Sequence, residues 1–189
     1  MADRSGADAR PTRLFCSDIL RPGVRAGGLE TNFVQHSTSY SSHKGTLRGL
    51  HLQRAPHAEV KIVRCLKGAI WDVIIDLRRD SPTYREWQAF ELTADNGSQL
   101  YVPAGFAHGF QTLCDDTEAG YLISAYHVPS AACGIRYDDP AFAIAWPLPP
   151  GPMSTMDKGW SDFSIHEPQA SDVFGMSGDS RRTGDPQSG

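Results

Sequence analysis

The 189-residue chain has no excess of basic residues, no Cys-x-x-Cys pair and no apolar run long enough to cross a bilayer. Each absence closes a class of function. With 18 Lys and Arg against 22 Asp and Glu, the formal charge of −4 leaves no broad positive field for coating nucleic acid or anionic lipid. An anionic ligand then needs a local cluster of Arg and Lys. A membrane span takes roughly 20 predominantly apolar residues, which runs such as Val73-Ile-Ile75 do not approach. Neither a nucleic-acid nor a membrane partner is expected. The polar start Met1-Ala-Asp-Arg-Ser-Gly lacks the apolar segment of a secretory signal, so a cytoplasmic protein is expected. Cys16, Cys65, Cys114 and Cys133 stand singly, which fits reduced thiols better than a zinc knuckle or a disulfide framework. Cys65, among Val63 and Leu66, reads as a small core residue.

Amphipathic helices are also missing from the middle of the chain. In their place are short β-rich runs at 32–35, 46–52, 60–66, 69–77, 87–93, 99–102, 109–113 and 120–126. Breakers such as Lys67-Gly68, Asp80-Ser-Pro82, Asp95-Asn-Gly97 and Pro103-Ala-Gly105 separate them. Many short strands spaced about 8 to 12 residues apart predict an all-β sandwich or barrel. A short helix near 18–26, interrupted by Pro22 and Gly23, is the one helical candidate. The expected organisation is an amino-terminal arm over 1–31, a core over 32–148, a carboxy-terminal segment over 149–165 and a disordered tail over 166–189. The run Pro147-Leu-Pro-Pro-Gly-Pro152 marks the exit from the core.

Two residues in the strands are out of place for a plain core. His51 falls in the apolar strand Leu47-Arg-Gly-Leu-His-Leu, where surrounding apolar groups can tune an imidazole toward general-base work. Lys61, in Glu59-Val-Lys-Ile-Val, either turns inward to hold an oxyanion or lies on the solvated face of an edge strand. Strict alternation would send Arg48 and His51 to opposite faces. Gly49 between them allows a bulge or a close backbone approach that would bring them together. His36, His43 and His166 read as ordinary surface or core histidines.

Several long motifs stand in order: Gly45-Thr-Leu-Arg-Gly-Leu-His-Leu-Gln53, Val60-Lys-Ile-Val-Arg64, Gly68 to Arg78, Ser81-Pro-Thr83, Leu100 to Phe110, Asp138-Asp-Pro140 and Trp146-Pro147. Together they resemble the nucleotide-sugar 3,5-epimerases of deoxysugar biosynthesis, the dTDP-4-dehydrorhamnose 3,5-epimerase family. The resemblance implies a cupin-type jelly roll with short peripheral helices, a homodimer, and no metal or other cofactor. It implies a nucleotide-linked 4-keto-6-deoxyhexose as substrate, epimerised at C3, C5 or both through an enolate. Matching motif positions make His51 the base, Asp157 its orienting carboxylate, Tyr121 the acid on the opposite face and Lys61 the holder of the enolate oxygen. Arg48, Gln53, His108 and Asp72 are expected on the substrate-binding side, with His108 and Asp72 holding charge or fixing a tautomer. Phe110 and Trp71 either wall the pocket or fill the core, and the core is the expectation.

The chain departs from that pattern in its amino-terminal part. Asp8-Ala-Arg-Pro-Thr-Arg-Leu-Phe15 is the counterpart of a longer family motif, so a shortened arm is expected. His127 stands where an aromatic tyrosine is common. Two rivals remain at this stage. Pro103-x-Gly-x-x-His108, with His51, His57 and Glu59, offers ligands for a metal-binding cupin. A non-catalytic relative that only binds a nucleotide sugar is the other.

Overall fold

The computed structural model describes residues 29–164 of the chain. The helix expected at 18–26, the amino-terminal arm as far as residue 28 and the tail from residue 165 lie outside those residues. Nine strands occur among the described residues: β1 (Gln35–Ser41), β2 (Leu47–Gln53), β3 (Lys61–Lys67), β4 (Ala69–Asp76), β5 (Trp87–Thr93), β6 (Gln99–Val102), β7 (Phe106–Thr112), β8 (Thr117–Ile123) and β9 (Ala132–Gly134). A single turn of helix, α1 (Thr155–Lys158), follows. The strands form two antiparallel sheets, ordered β1-β8-β3-β6 and β5-β4-β7-β2-β9. The first eight strands in this arrangement make a jelly roll, with β9 added at the β2 edge. The all-β expectation is borne out.

Alternation along the strands builds two apolar layers. Ile70 and Ile74 of β4 join Val63, Cys65, Val102, Phe110 and Ala119 between the sheets. Val73 and Ile75, pointing the other way, join Leu50, Leu52 and Ala107 beneath Ile135, Phe142 and Phe163. The Pro/Gly run does not leave the body as expected. The buried amide of Gln111 accepts from Leu148 N–H and donates to Leu148 O at 3.0 Å, while Leu47 N–H donates to Pro152 O at 3.0 Å. Asp139 accepts from Ala141 N–H at 2.8 Å and from Phe163 N–H at 2.6 Å. The carboxy-terminal segment is therefore stitched across the five-stranded sheet and returns residues 154–157 to it.

The sequence motif around Ser81-Pro-Thr83 is likewise structural. The Asp76 carboxylate accepts from Arg78, Ser81 and Thr83, at 2.7, 2.5 and 2.7 Å to one oxygen. Burial pushes that carboxyl up, but these donors outweigh it and hold it well below the ordinary range.

Three strands, β1, β7 and β8, begin three residues away from the pattern, and β9 has no counterpart in it. β1 begins at Gln35, because Gln-His-Ser-Thr-Ser-Tyr-Ser has no apolar alternation to announce it. Its period of two is written instead in exposure, with His36, Thr38 and Tyr40 outward and Ser37, Ser39 and Ser41 inward.

β2 contains the irregularity that places the site. Arg48 pairs with Phe110 and His51 with His108, so Gly49 and Leu50 together oppose Gly109 alone. Gly49 adopts φ +107°, and a Cβ there would lie 2.7 Å from both Gly109 Cα and His108 O. A Cβ on Gly109 would lie 2.6 Å from Arg48 O. Gly49→Ala is expected to cost roughly 3 kcal/mol in a urea titration, from backbone strain and crowding together. Gly97, at φ +60° with nothing within 4 Å of an added Cβ, supplies the comparison. Gly97→Ala should cost only about 1 to 2 kcal/mol, the strain alone. Equal losses at the two positions would show that the close approach at the bulge carries no energy.

Candidate active site

The bulge changes which side chains of β2 face inward. Before it Arg48 does, and after it His51 does, while Leu50 and Leu52 join the outer apolar layer. Arg48 and His51 thus line one cavity of about 400 Å³, together with Lys61, His108, Phe110, Tyr121 and residues 154–157. The two sheets contribute from opposite sides, β2 and β7 from one and β1, β3 and β8 from the other.

The His51 imidazole is held by Asp157. Its Nε2 lies 2.5 Å from Asp157 Oδ1, and its ring packs edge-on against Trp160 with centroids 6.4 Å apart. With the Nε2 hydrogen donated to the carboxylate, the neutral ring carries its lone pair on Nδ1. Asp157 reaches this place because Ser154 caps α1, its hydroxyl accepting the Asp157 N–H at 3.0 Å. Burial works to raise the Asp157 pKa, but the hydrogen bond and charge of His51, the Ser154 hydroxyl and the Gly49 N–H outweigh it and hold the carboxyl below its ordinary value.

Across the cavity, the Tyr121 phenol is 3.0 Å from the Ser39 hydroxyl. Burial pushes its pKa well above the ordinary 10, and the Ser39 hydrogen bond and Arg48 charge recover only part of that rise. The phenol is a neutral hydrogen carrier throughout the physiological range. Arg48 donates to Ser41 Oγ at 3.0 Å and to Tyr40 O at 2.7 Å, which aligns the guanidinium along the end of β1 and leaves other N–H groups for a ligand.

Lys61 is 8% exposed, so the inward placement holds and the solvated edge does not. Its Nζ lies 2.9 Å from Glu59 Oε1 and 3.5 Å from His51 O. His108 faces the cavity, and both oxygens of Asp72 lie 3.0 Å from its Nε2.

Asp72 is wholly buried behind His108, which fits the expected duty of holding charge or fixing a tautomer and not direct contact with a ligand. Gln53 and the metal-binding rival fare differently. The Gln53 amide is occupied by protein groups: it donates to Glu59 at 2.7 Å and toward His57 O and Tyr126 O, and accepts from Val128 N–H at 2.6 Å. It builds a wall rather than presenting to substrate. The metal constellation does not assemble, because His51, His108 and Glu59 turn to Asp157, Asp72 and Lys61 respectively. Among the described residues no group of three His, Cys, Asp or Glu side chains is placed to hold an ion. Phe110 does more than fill the core, since it also walls the cavity. Trp71 packs against the outer apolar layer.

Sequence reasoning passed over Ser39, Ser154 and Trp160, and weighed Glu59 only as a metal ligand. Ser154 had a usable signal, a hydroxyl three residues before an acid at the head of a helical turn. Ser39 and Glu59 had none, because only the β1–β8 pairing and the fold of the 53–59 loop bring them to Tyr121 and Lys61.

Comparison with known proteins fits this geometry. A sequence profile for dTDP-4-dehydrorhamnose 3,5-epimerase matches residues 9–164. The chain belongs to the dTDP-4-dehydrorhamnose 3,5-epimerase family. A dTDP-4-dehydrorhamnose 3,5-epimerase of Sinorhizobium fredii is 48% identical over 136 residues, 71% of this chain and 70% of that one. The chain spans about two thirds to seven tenths of the length of such curated relatives. The crystal structure of dTDP-4-dehydrorhamnose 3,5-epimerase from Bacillus anthracis, with TDP and PPi bound, superposes with a TM-score of 0.75 at 39% identity, covering 80% of this chain and 90% of that one. The Legionella pneumophila dTDP-6-deoxy-D-glucose-3,5-epimerase, in complex with dTDP-4-keto-L-rhamnose, gives 0.70 at 36% identity, covering 76% of each. The resemblance read from the motifs is borne out, and with it the cupin-type fold and the placement among isomerases. No helix among the described residues is long and apolar enough to cross a membrane.

The depressed Asp157 pKa makes a pH prediction. A carboxyl whose folded value lies below its ordinary 3.8 adds stability above that value and loses it as pH falls through the folded value. Wild type should therefore exceed Asp157→Asn in melting temperature at neutral pH, with the gap closing as pH is lowered below about 4. A gap that is constant from pH 7 to pH 2 would detach Asp157 from its charge interaction with His51.

Proposed function

We propose that the chain epimerises a nucleotide-linked 4-keto-6-deoxyhexose of the dTDP-4-dehydro-6-deoxyglucose type, at C3, C5 or both. One observation carries the reading: a histidine–carboxylate pair and a buried phenol stand on facing sheets of a single cavity, with a lysine ammonium beside them. The ketone acidifies hydrogens on its neighbouring carbons. His51 removes one of them, and Asp157 holds the ring in the required tautomer and stabilises the imidazolium that forms. Negative charge moves to the ketone oxygen, where Lys61 lies ready to hold the enolate. Tyr121 then delivers a proton from the other face, which inverts the centre. Its raised pKa keeps the phenol hydrogen in place until that step. His108, fixed by Asp72, offers a ring nitrogen to the sugar, and Arg48 offers a fork suited to phosphate oxygens.

The cavity volume of about 400 Å³ suits a hexose with part of its diphosphate. The relative crystallised with dTDP-4-keto-L-rhamnose and the one with TDP support a nucleotide sugar as ligand. A homodimer acting in the cytoplasm belongs to the same proposal.

Incubation with dTDP-4-keto-6-deoxyglucose in D₂O tests it. Deuterium should enter at C3, C5 or both, and the inverted sugar should accumulate. Binding without any carbon-bound exchange would make the chain a nucleotide-sugar binder instead. His51→Ala should lose exchange by about 10² to 10⁴-fold while the chain stays folded, with a somewhat lower melting temperature because Asp157 loses its partner. Tyr121→Phe separates the two half-reactions: exchange at carbon should persist while inverted product falls. Equal loss of both in Tyr121→Phe would deny the phenol its place as donor on the far face.

A further inference from the structure

A second cavity of about 240 Å³ adjoins the first and shares His51, Lys61, Ile123 and Met156 with it. Glu59 lines this second cavity and not the first, so Lys61 stands between the carboxylate and the reaction space. Both side chains are largely withdrawn from water, 10% exposed for Lys61 and 11% for Glu59. A buried ammonium needs a counter-charge, and a four-carbon chain needs something to fix its end. Glu59 supplies both, because one oxygen takes Lys61 Nζ at 2.9 Å and the other takes the Gln53 amide at 2.7 Å. Gln53 in turn is bound to Val128 N–H and Tyr126 O, beyond the end of β8.

We propose that Glu59 is a positioning residue whose carboxylate fixes the Lys61 ammonium against the reaction cavity and ties it, through Gln53, to the loop after β8. The carboxylate touches no reacting atom. It acts through Lys61, so its removal should lower turnover more than binding. The effect on rate rests on the epimerase reading, whereas the effect on Lys61 does not.

The test uses the full chain with Glu59→Ala, Glu59→Gln, Lys61→Met and the double variant Glu59→Ala/Lys61→Met. Acetylation of lysines followed by mass spectrometry should show Lys61 reacting several-fold faster in Glu59→Ala than in wild type, with other lysines unchanged. In the D₂O assay Glu59→Ala should lose about 10²-fold in kcat with KM little changed, the scale of a misplaced catalytic group. Glu59→Gln, which keeps an oxygen for Lys61, should recover much of that loss and guards against a misfolded alanine variant. The double variant should be no slower than Lys61→Met alone. Unchanged Lys61 labelling, or losses that simply multiply in the double variant, would overturn the proposal. A wild-type chain that exchanges no hydrogen would sink the epimerase reading, and the labelling would still decide the role of Glu59.

Discussion

The site depends on one extra residue in β2. Without the bulge opposite Gly109, Arg48 and His51 would face opposite sides of the five-stranded sheet, and either the imidazole or the guanidinium would lie outside the cavity. The bulge needs two glycines, because each backbone approaches the other more closely than a Cβ permits. It also frees the Gly49 N–H to support the Asp157 carboxylate. Strand direction, ring placement and the charge of the carboxylate behind the ring are thus set by a single local event.

Around that event three basic side chains are each paired with a buried or nearly buried acid. His51 meets Asp157, His108 meets Asp72, and Lys61 meets Glu59, each at 3.0 Å or less. Such pairs add little to net stability, because desolvation offsets much of the attraction. Breaking one is costly, since it strands the partner away from water. The consequence is specificity of position rather than strength. Each basic group is held by an acid that faces away from the ligand, which leaves its remaining N–H or lone pair for chemistry. Tyr121 is the exception, kept neutral by burial and restrained only by the Ser39 hydroxyl.

Much of this was legible in residue order. Breakers at 8 to 12 residue spacing gave five of the strands nearly to the residue, and Gly49 signalled the bulge. His51, Lys61, Tyr121 and Asp157 were nominated on motif position, and the fold gathers all four around one cavity. What stayed hidden has a common cause. β1 is a polar strand whose inner face looks onto the cavity, so no apolar alternation marks it. Gln53 was assigned to the substrate by resemblance alone, and nothing in the sequence says that the loop ending at Glu59 and the chain at Tyr126 and Val128 will use up its amide. Asp72 is similar, being two residues from Ile70 and Ile74 on the same inner face, where only pairing with β7 reveals His108 as its partner.

The architecture itself answers the stereochemical demand. Inversion at a carbon needs a base and an acid on opposite faces of one sugar ring, held apart by roughly the thickness of that ring plus two contacts. Side chains on the inner faces of two packed sheets reach one cavity from opposite sides. His51 comes from the five-stranded sheet and Tyr121 from the four-stranded one, so their opposition is inherited from the fold rather than built by loops. Lys61 shares the Tyr121 sheet one strand over, where β3 pairs Val63 with Tyr121 and Lys61 with Ile123. That register sets the ammonium one inward step from the phenol on the same wall of the cavity, as the proposed hold on a ketone oxygen next to the reprotonated carbon requires. A one-residue slip between β3 and β8 would turn Lys61 to the outer face and leave the proposed enolate without its cation, which ties the electrostatics of that proposal to the pairing of two strands.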